Sequence, residues 1–214
     1  MPAGKNMEAT RPFVRANDLR DTIIYDIVDL EWNMYTQMKA DQGTPADPDG
    51  YEAFYQVRYS QHSAMNSDTL GMYRSDLNTA MHTGRNLMKE KYDYMRSPET
   101  FAVDPEIKDL VEEAAVAMKA SHEKFAASYP ALAQAGHALD AEEGTVSIDV
   151  YIRSELVNRT DTVLQMLARD VRLNPDYVQD IFATFVSFFD QDSLDQAEVL
   201  AASRTMQPCR GGTA

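Results

Sequence analysis

The chain has 214 residues, a formal net charge of -14, 44% hydrophobic and 25% charged residues, the proportions of a globular protein able to bury one sizeable core. No apolar run is long enough to cross a membrane, the acidic excess disfavours unspecific contact with nucleic acid or anionic lipid, and a lone cysteine, Cys209, excludes an internal disulfide. The opening MPAGKNMEATRPFVR lacks an apolar stretch, so no secretory signal is predicted and a cytoplasmic, reducing compartment is expected.

Helical periodicity recurs along the chain and strand-like alternation is nearly absent, which predicts an all-α, single-domain bundle of six or seven helices over 18–203, with disordered ends at 1–17 and 204–214. A first helix over 18–38 gathers Leu19, Ile23, Ile27, Leu30, Met34 and Met38 on its apolar face, with Glu31 at the edge of that face. The Pro- and Gly-rich loop 41–50 ends it. Helix two is predicted over 51–66 and helix three over 67–96, capped by Ser67 or Asp68 and joined to its predecessor in a tight corner. Asp104-Pro105 opens a helix to 128, stopped by Tyr129-Pro130. The Ala-, Gly- and acid-rich stretch 130–144 reads as a loop of the kind that covers a site. A helix over 147–171 follows, then one opened by Asn174-Pro175, then a last one capped by Asp192 or Ser193.

At about 100° per residue, Arg58 and His62 fall in the middle of the face made by Tyr51, Phe54, Tyr55 and Met65, and Lys91 falls among Tyr73, Leu77, Gly84, Met88 and Met95. Burying such groups is costly unless each finds a partner, so a polar cluster inside the helical core is predicted. Its candidates are Glu31; Arg58, Gln61 and His62; Asp76, Arg85 and Lys91; and Tyr151, Arg153, Glu155 and Arg159. One reading is structural, with Glu31, Asp76 and Glu155 neutralising Arg58, Lys91 and Arg159 in a non-catalytic binding or assembly protein, a homodimer among the options. The other is a small-molecule enzyme. In it Arg58, Gln61, Asp76, Arg85, Lys91, Arg153 and Glu155 bind an anionic or amino-acid-like substrate, and His62, Glu31 and Tyr151 perform acid-base chemistry such as elimination, isomerisation or condensation in biosynthesis.

No Glu-x-x-His, His-x-x-x-His, Cys-x-x-Cys, calcium-loop or phosphate-loop pattern occurs, and nothing calls for a cofactor. A metal held across helices by Glu31, His62, Asp76 and Glu155 is the remaining alternative. His82 points away from the apolar face, and Met81, Met88 and Met95, spaced by sevens, read as core filling.

The run Glu31-Trp32-Asn33-Met34-Tyr35, then VRYSQ around Arg58 and Gln61, YRSDL around Asp76, GRNLMKEKYDYM from Gly84, FAASYP from Phe125 and DVYIRSELVNRT from Asp149, resemble in order the family called domain of unknown function 4125. The resemblance covers 18–171 and implies a helical protein without an established reaction. Where that family has a Gly-Arg-Ala-x-Cys-Gln stretch between its first two helices, this chain has QGTPADPDG, so chemistry resting on that cysteine is not available to it.

Overall fold

A computed structural model describes residues 19–139, 146–189, 191 and 193–205. These form ten α-helices and no strand. The helices are α1 Leu19–Asp41, α2 Tyr51–Ser63, α3 Ser67–His82, α4 Leu87–Arg96, α5 Lys108–Ser128, α6 Pro130–Leu139, α7 Ile148–Ser154, α8 Asp161–Leu173, α9 Tyr177–Ser187 and α10 Leu194–Thr205. The all-α reading is correct, and the count of six or seven is too low. The predicted disordered end 1–17 and residues 206–214, Cys209 among them, lie outside the described residues, whereas 204 and 205, predicted disordered, close α10.

Three local features account for the extra helices. The predicted long helix over 67–96 is broken after His82. Gly84 adopts φ 75°, its amide donates to the Met81 carbonyl and the Arg85 amide to that of Ala80, which closes α3 with a left-handed glycine cap. Two residues later Asn86 opens α4 by accepting from the Lys89 amide, while its side-chain amide donates to the Met34 carbonyl on α1. Gly84→Ala keeps the space but not the conformation. It is expected to lower stability by about 1 kcal/mol, read as a shift in the denaturation midpoint.

The predicted helix over 147–171 is interrupted in the same way, by a turn after Ser154. Ser147 caps α7 through the Val150 amide, and Thr160 caps α8 through that of Val163. The stretch read as a covering loop is helical from Pro130 to Leu139. Alanines favour the helix, proline suits its first position, and Glu198 from α10 accepts from the free amides of Ala131 and Leu132. Composition alone hid that cap, which comes from a distant residue. Residues 140–145 lie outside the described part.

Two helices act as centres. α1 packs against α2, α3 and α4, and α5 against α6, α7, α8 and α9. Contacts α2 to α9, α3 to α8 and α4 to α7 join the two groups. The buried face of α1 is Ile24, Tyr25, Ile27, Val28, Glu31, Met34 and Met38, whereas Leu19 is 77% exposed. The face is therefore turned from the predicted one, and Glu31 lies in its middle. Asp170 on α8 pins the tight α2–α3 corner by accepting from the Asn66 amide and the Thr69 hydroxyl. Asn66, not Ser67 or Asp68, is the residue that precedes α3.

Candidate functional site

The buried polar cluster sits where the two groups of helices meet. Glu31 comes from α1, Arg58, Gln61 and His62 from α2, Tyr73 from α3, Lys91 from α4 and Tyr151 from α7, with Glu155 and Arg159 in the turn between α7 and α8. Arg58 and His62, four residues apart, share one helix face. Arg58 grips Glu31 with two parallel bonds, Nε to Oε2 at 2.8 Å and Nη2 to Oε1 at 2.7 Å. Its Nη1 donates to Glu155 Oε1 at 2.7 Å and Gln61 Oε1 at 2.5 Å. Glu31 also accepts from the Tyr73 hydroxyl at 2.7 Å and faces His62 Nε2 at 3.0 Å. Glu155 Oε1 takes the Lys91 ammonium at 2.6 Å and the Tyr151 hydroxyl at 3.3 Å, while Gln61 donates to Tyr151. Arg159 folds back over its own turn, Nε to the Glu155 carbonyl at 2.9 Å, and stacks 3.4 Å above the Tyr73 ring.

Protonation states follow from this geometry. Burial would raise the Glu31 carboxyl, but Arg58 and His62 together outweigh it and hold the acid well below its usual 4.5. Glu155 is lowered for the same reason, burial being overcome by Arg58, Lys91 and Arg159. Burial raises Tyr73, which stays a donor to Glu31. For His62 burial wins, so its pKa falls below 6.5 despite the facing Glu31 carboxylate. The ring is then neutral near pH 7. Because ionised Glu31 only accepts, Nε2 carries the proton and Nδ1 bears the lone pair.

Two buried side-chain atoms have no hydrogen-bond partner among the described residues, His62 Nδ1 and Arg159 Nη1. Both residues line one cavity of about 150 Å³. Gln61, Tyr151 and Glu155 complete its polar end, and Ile152, Leu167, Val178, Ile181, Phe182 and Phe185 are among its apolar walls. Gly136 on α6 lets that helix close down on Phe182, since a Cβ there would stand 2.5 Å from the ring. A wider cavity of about 500 Å³ lies between Trp32, Tyr35, Phe54 and Tyr92, with Arg58 and Lys91 at its floor. Both of those cations are already engaged with carboxylates.

Glu31, Arg58, Gln61, His62, Lys91, Tyr151 and Glu155 are thus brought together, and Asp76, Arg85 and Arg153 are not. Asp76 accepts from the Thr160 hydroxyl at the surface. Arg85 lies beyond the Gly84 break, where the helical angle of α3 no longer applies, and pairs with Glu90. Arg153 stands two residues from Glu155, about 200° around a helix, and pairs with Glu112 and Asp149. Asp76 cannot join Glu31, His62 and Glu155 around a metal, and among the described residues no group of three His, Cys, Asp or Glu side chains is placed to hold one.

Sequence reasoning missed Tyr73, read as apolar filling, and gave Arg159 only a structural part; its place four residues after Glu155 was the available signal. Met88 is buried, but Met81 is 46% exposed, so the methionines form no continuous stripe.

The family model described as "Protein of unknown function (DUF4125)" matches residues 21–187. The chain belongs to that family. The match runs past Val171, where the motif resemblance stops, and takes in α9 with its cavity residues. Within the motif run that begins at Gly84, the DUF4125 chain uses Gly84 and Asn86 to build the α3–α4 turn and places Lys91 in the cluster. Neither a curated protein nor a solved structure matches the chain. No helix among the described residues is long and apolar enough to cross a membrane.

Proposed function

We propose that this protein is an enzyme that binds a small molecule in the cavity beside the buried polar cluster and works on it by acid-base chemistry, with His62 as the base. The observation that carries this reading is the buried pair of Glu31 and His62. The carboxylate fixes the Nε2–H tautomer, and the unpartnered Nδ1 lone pair belongs to a residue at the polar end of a largely apolar cavity. Tyr151, in the same wall and bonded to Glu155, is the second group able to pass a proton. Glu31 and Arg58 position rather than react, because their bonding capacity is filled by one another and by the cluster.

In deuterated buffer, wild-type protein incubated with a small-molecule extract is expected to consume or deuterate at least one compound, seen by mass spectrometry. His62→Gln, whose amide can still donate to Glu31, is expected to slow that change by about 10² to 10⁴. Equal rates in the two proteins, or no change with wild type, would overturn the proposal.

The saturation of Glu31 and Glu155 favours a second reading, in which the ions fix helix packing in a non-catalytic binding or assembly protein. That reading predicts no His62-dependent turnover, and native mass spectrometry then separates a binding protein, which carries an unaltered ligand, from an assembly protein, which carries none.

A further inference from the structure

The geometry points to an apolar monocarboxylate with a body of about six carbons as the ligand of the cavity, its carboxylate held by Arg159 Nη1 and its body among Ile152, Ile181 and Phe182. This rests on the reading of the cavity as a substrate site and narrows the substrate class.

Pairing comes first. Arg58, Lys91 and Arg159 are buried, Glu31 is buried with them and Glu155 stands at the edge of the cluster. Asp170, the third carboxylate near them, lies on α8 and bonds the neutral groups of Asn66 and Thr69. Within the cluster Arg58 and Lys91 have short contacts to carboxylates, whereas Arg159 reaches Glu155 Oε2 only at 3.7 Å and leaves Nη1 unmatched. An anion bonded to Nη1 satisfies the orphan donor and gives Arg159 the close anionic partner that Arg58 and Lys91 already have.

The number of donors then limits the anion. A phosphate brings up to two charges and several oxygens that need donors, and Arg159 Nη1 is the one orphan donor among the buried side-chain atoms of the described residues. A carboxylate fits that supply. An amino acid does not, because an ammonium needs an acceptor, and the Glu31 and Glu155 oxygens already receive Arg58, His62, Tyr73, Lys91 and Tyr151. His62 Nδ1 is a neutral acceptor and supplies no counter-charge.

Volume sets the size. A dry cavity of about 150 Å³ lined by aliphatic and aromatic groups holds a benzene ring, and this one has that volume. Arg159 and His62 both sit against the Tyr73 ring, at 3.4 Å and at a centroid distance of 5.6 Å. A carboxylate on the guanidinium therefore sets the adjoining carbons on the His62 side.

The test is calorimetric titration of the full chain with phenylacetate, phenylacetamide and phenylalanine. Phenylacetate is expected to bind at least tenfold more tightly than either analogue, and Arg159→Gln to erase that preference. Should Arg159→Gln fail to fold, Ile181→Trp fills the cavity from its wall and is expected to abolish phenylacetate binding while helical circular dichroism is retained. Equal affinity for the amide or the amino acid, no phenylacetate binding at millimolar concentration, or an unchanged affinity in a folded Arg159→Gln variant overturns the assignment. Phenylacetate binding without any His62-dependent turnover sustains the ligand class and sinks the enzyme; His62-dependent turnover confined to compounds lacking an apolar carboxylate does the reverse.

Discussion

Glu31→Leu is expected to destabilise the protein by about 3–5 kcal/mol, the usual penalty for removing one partner of a buried ion cluster, and to lower Tm by about 10 °C for a chain of this size. Glu31 is fully buried and faces four nitrogen or oxygen atoms, Arg58 Nε and Nη2, the Tyr73 hydroxyl and His62 Nε2. Its loss leaves half of the Arg58 fork, one phenol and one imidazole N–H without acceptors at a fully buried position. The combined variant Arg58→Met, Glu31→Leu, Lys91→Met removes one anion with two cations and leaves Glu155 beside Arg159, a balanced remainder. It is expected to melt above the single Glu31→Leu variant despite carrying three substitutions. If the triple variant melts lower, mutual neutralisation does not explain why these charges are buried.

The same cluster shows which parts of the molecule a periodic reading can reach. Arg58 and His62 were legible because both lie on one uninterrupted helix, α2, where 100° steps hold from Tyr51 to Ser63. Lys91 was found on the same rule although its helix is not the one supposed. A Gly-x-Asn segment resets the angle between α3 and α4, and Lys91 falls inward on both sides of that reset. Arg85, within the reset, does not. Asp76 and Arg153 show the other limit, since an edge position of a helix is turned inward or outward by its neighbours. Thr160 and Glu112 provide those neighbours from other segments, and Asp149 from one turn back on α7 itself.

Glu155 and Arg159 were legible as inward groups four residues apart, but on a helix read as continuous over 147–171, whereas both stand in the turn after α7. The break carries a sequence mark, the Thr160-Asp161 cap, which a continuous apolar pattern overrode. The cavity itself was not legible. It is bounded by residues from six helices and closed by Gly136 against Phe182, a long-range fit with no local signature. Proton chemistry and apolar enclosure thus come from different halves of the fold, His62 from the α1 group and Phe182 from the α5 group. A change in how α2 meets α9 would alter both at once.

Acidification is expected to unfold the protein in two stages that can be assigned to named groups. His62 has a folded pKa below 6.5, so as pH falls through 6.5 the unfolded chain takes up a proton that the folded chain refuses. Stability is then lost with decreasing pH, by up to about 1.4 kcal/mol per pH unit for one group. Glu31 and Glu155 also have depressed folded values, so their contribution is fully present above 4.5 and disappears as pH drops below it. Both effects have one sign, which gives a shallow loss starting near pH 6.5 and a steeper one, with two carboxylates titrating, under about pH 4.5. Urea midpoints between pH 8 and pH 3 measure the two slopes. His62→Gln is expected to flatten the upper segment and leave the lower one. A wild-type stability that rises as pH falls from 8 to 6 would mean that His62 is charged in the folded protein near neutrality, and it could not then be the base.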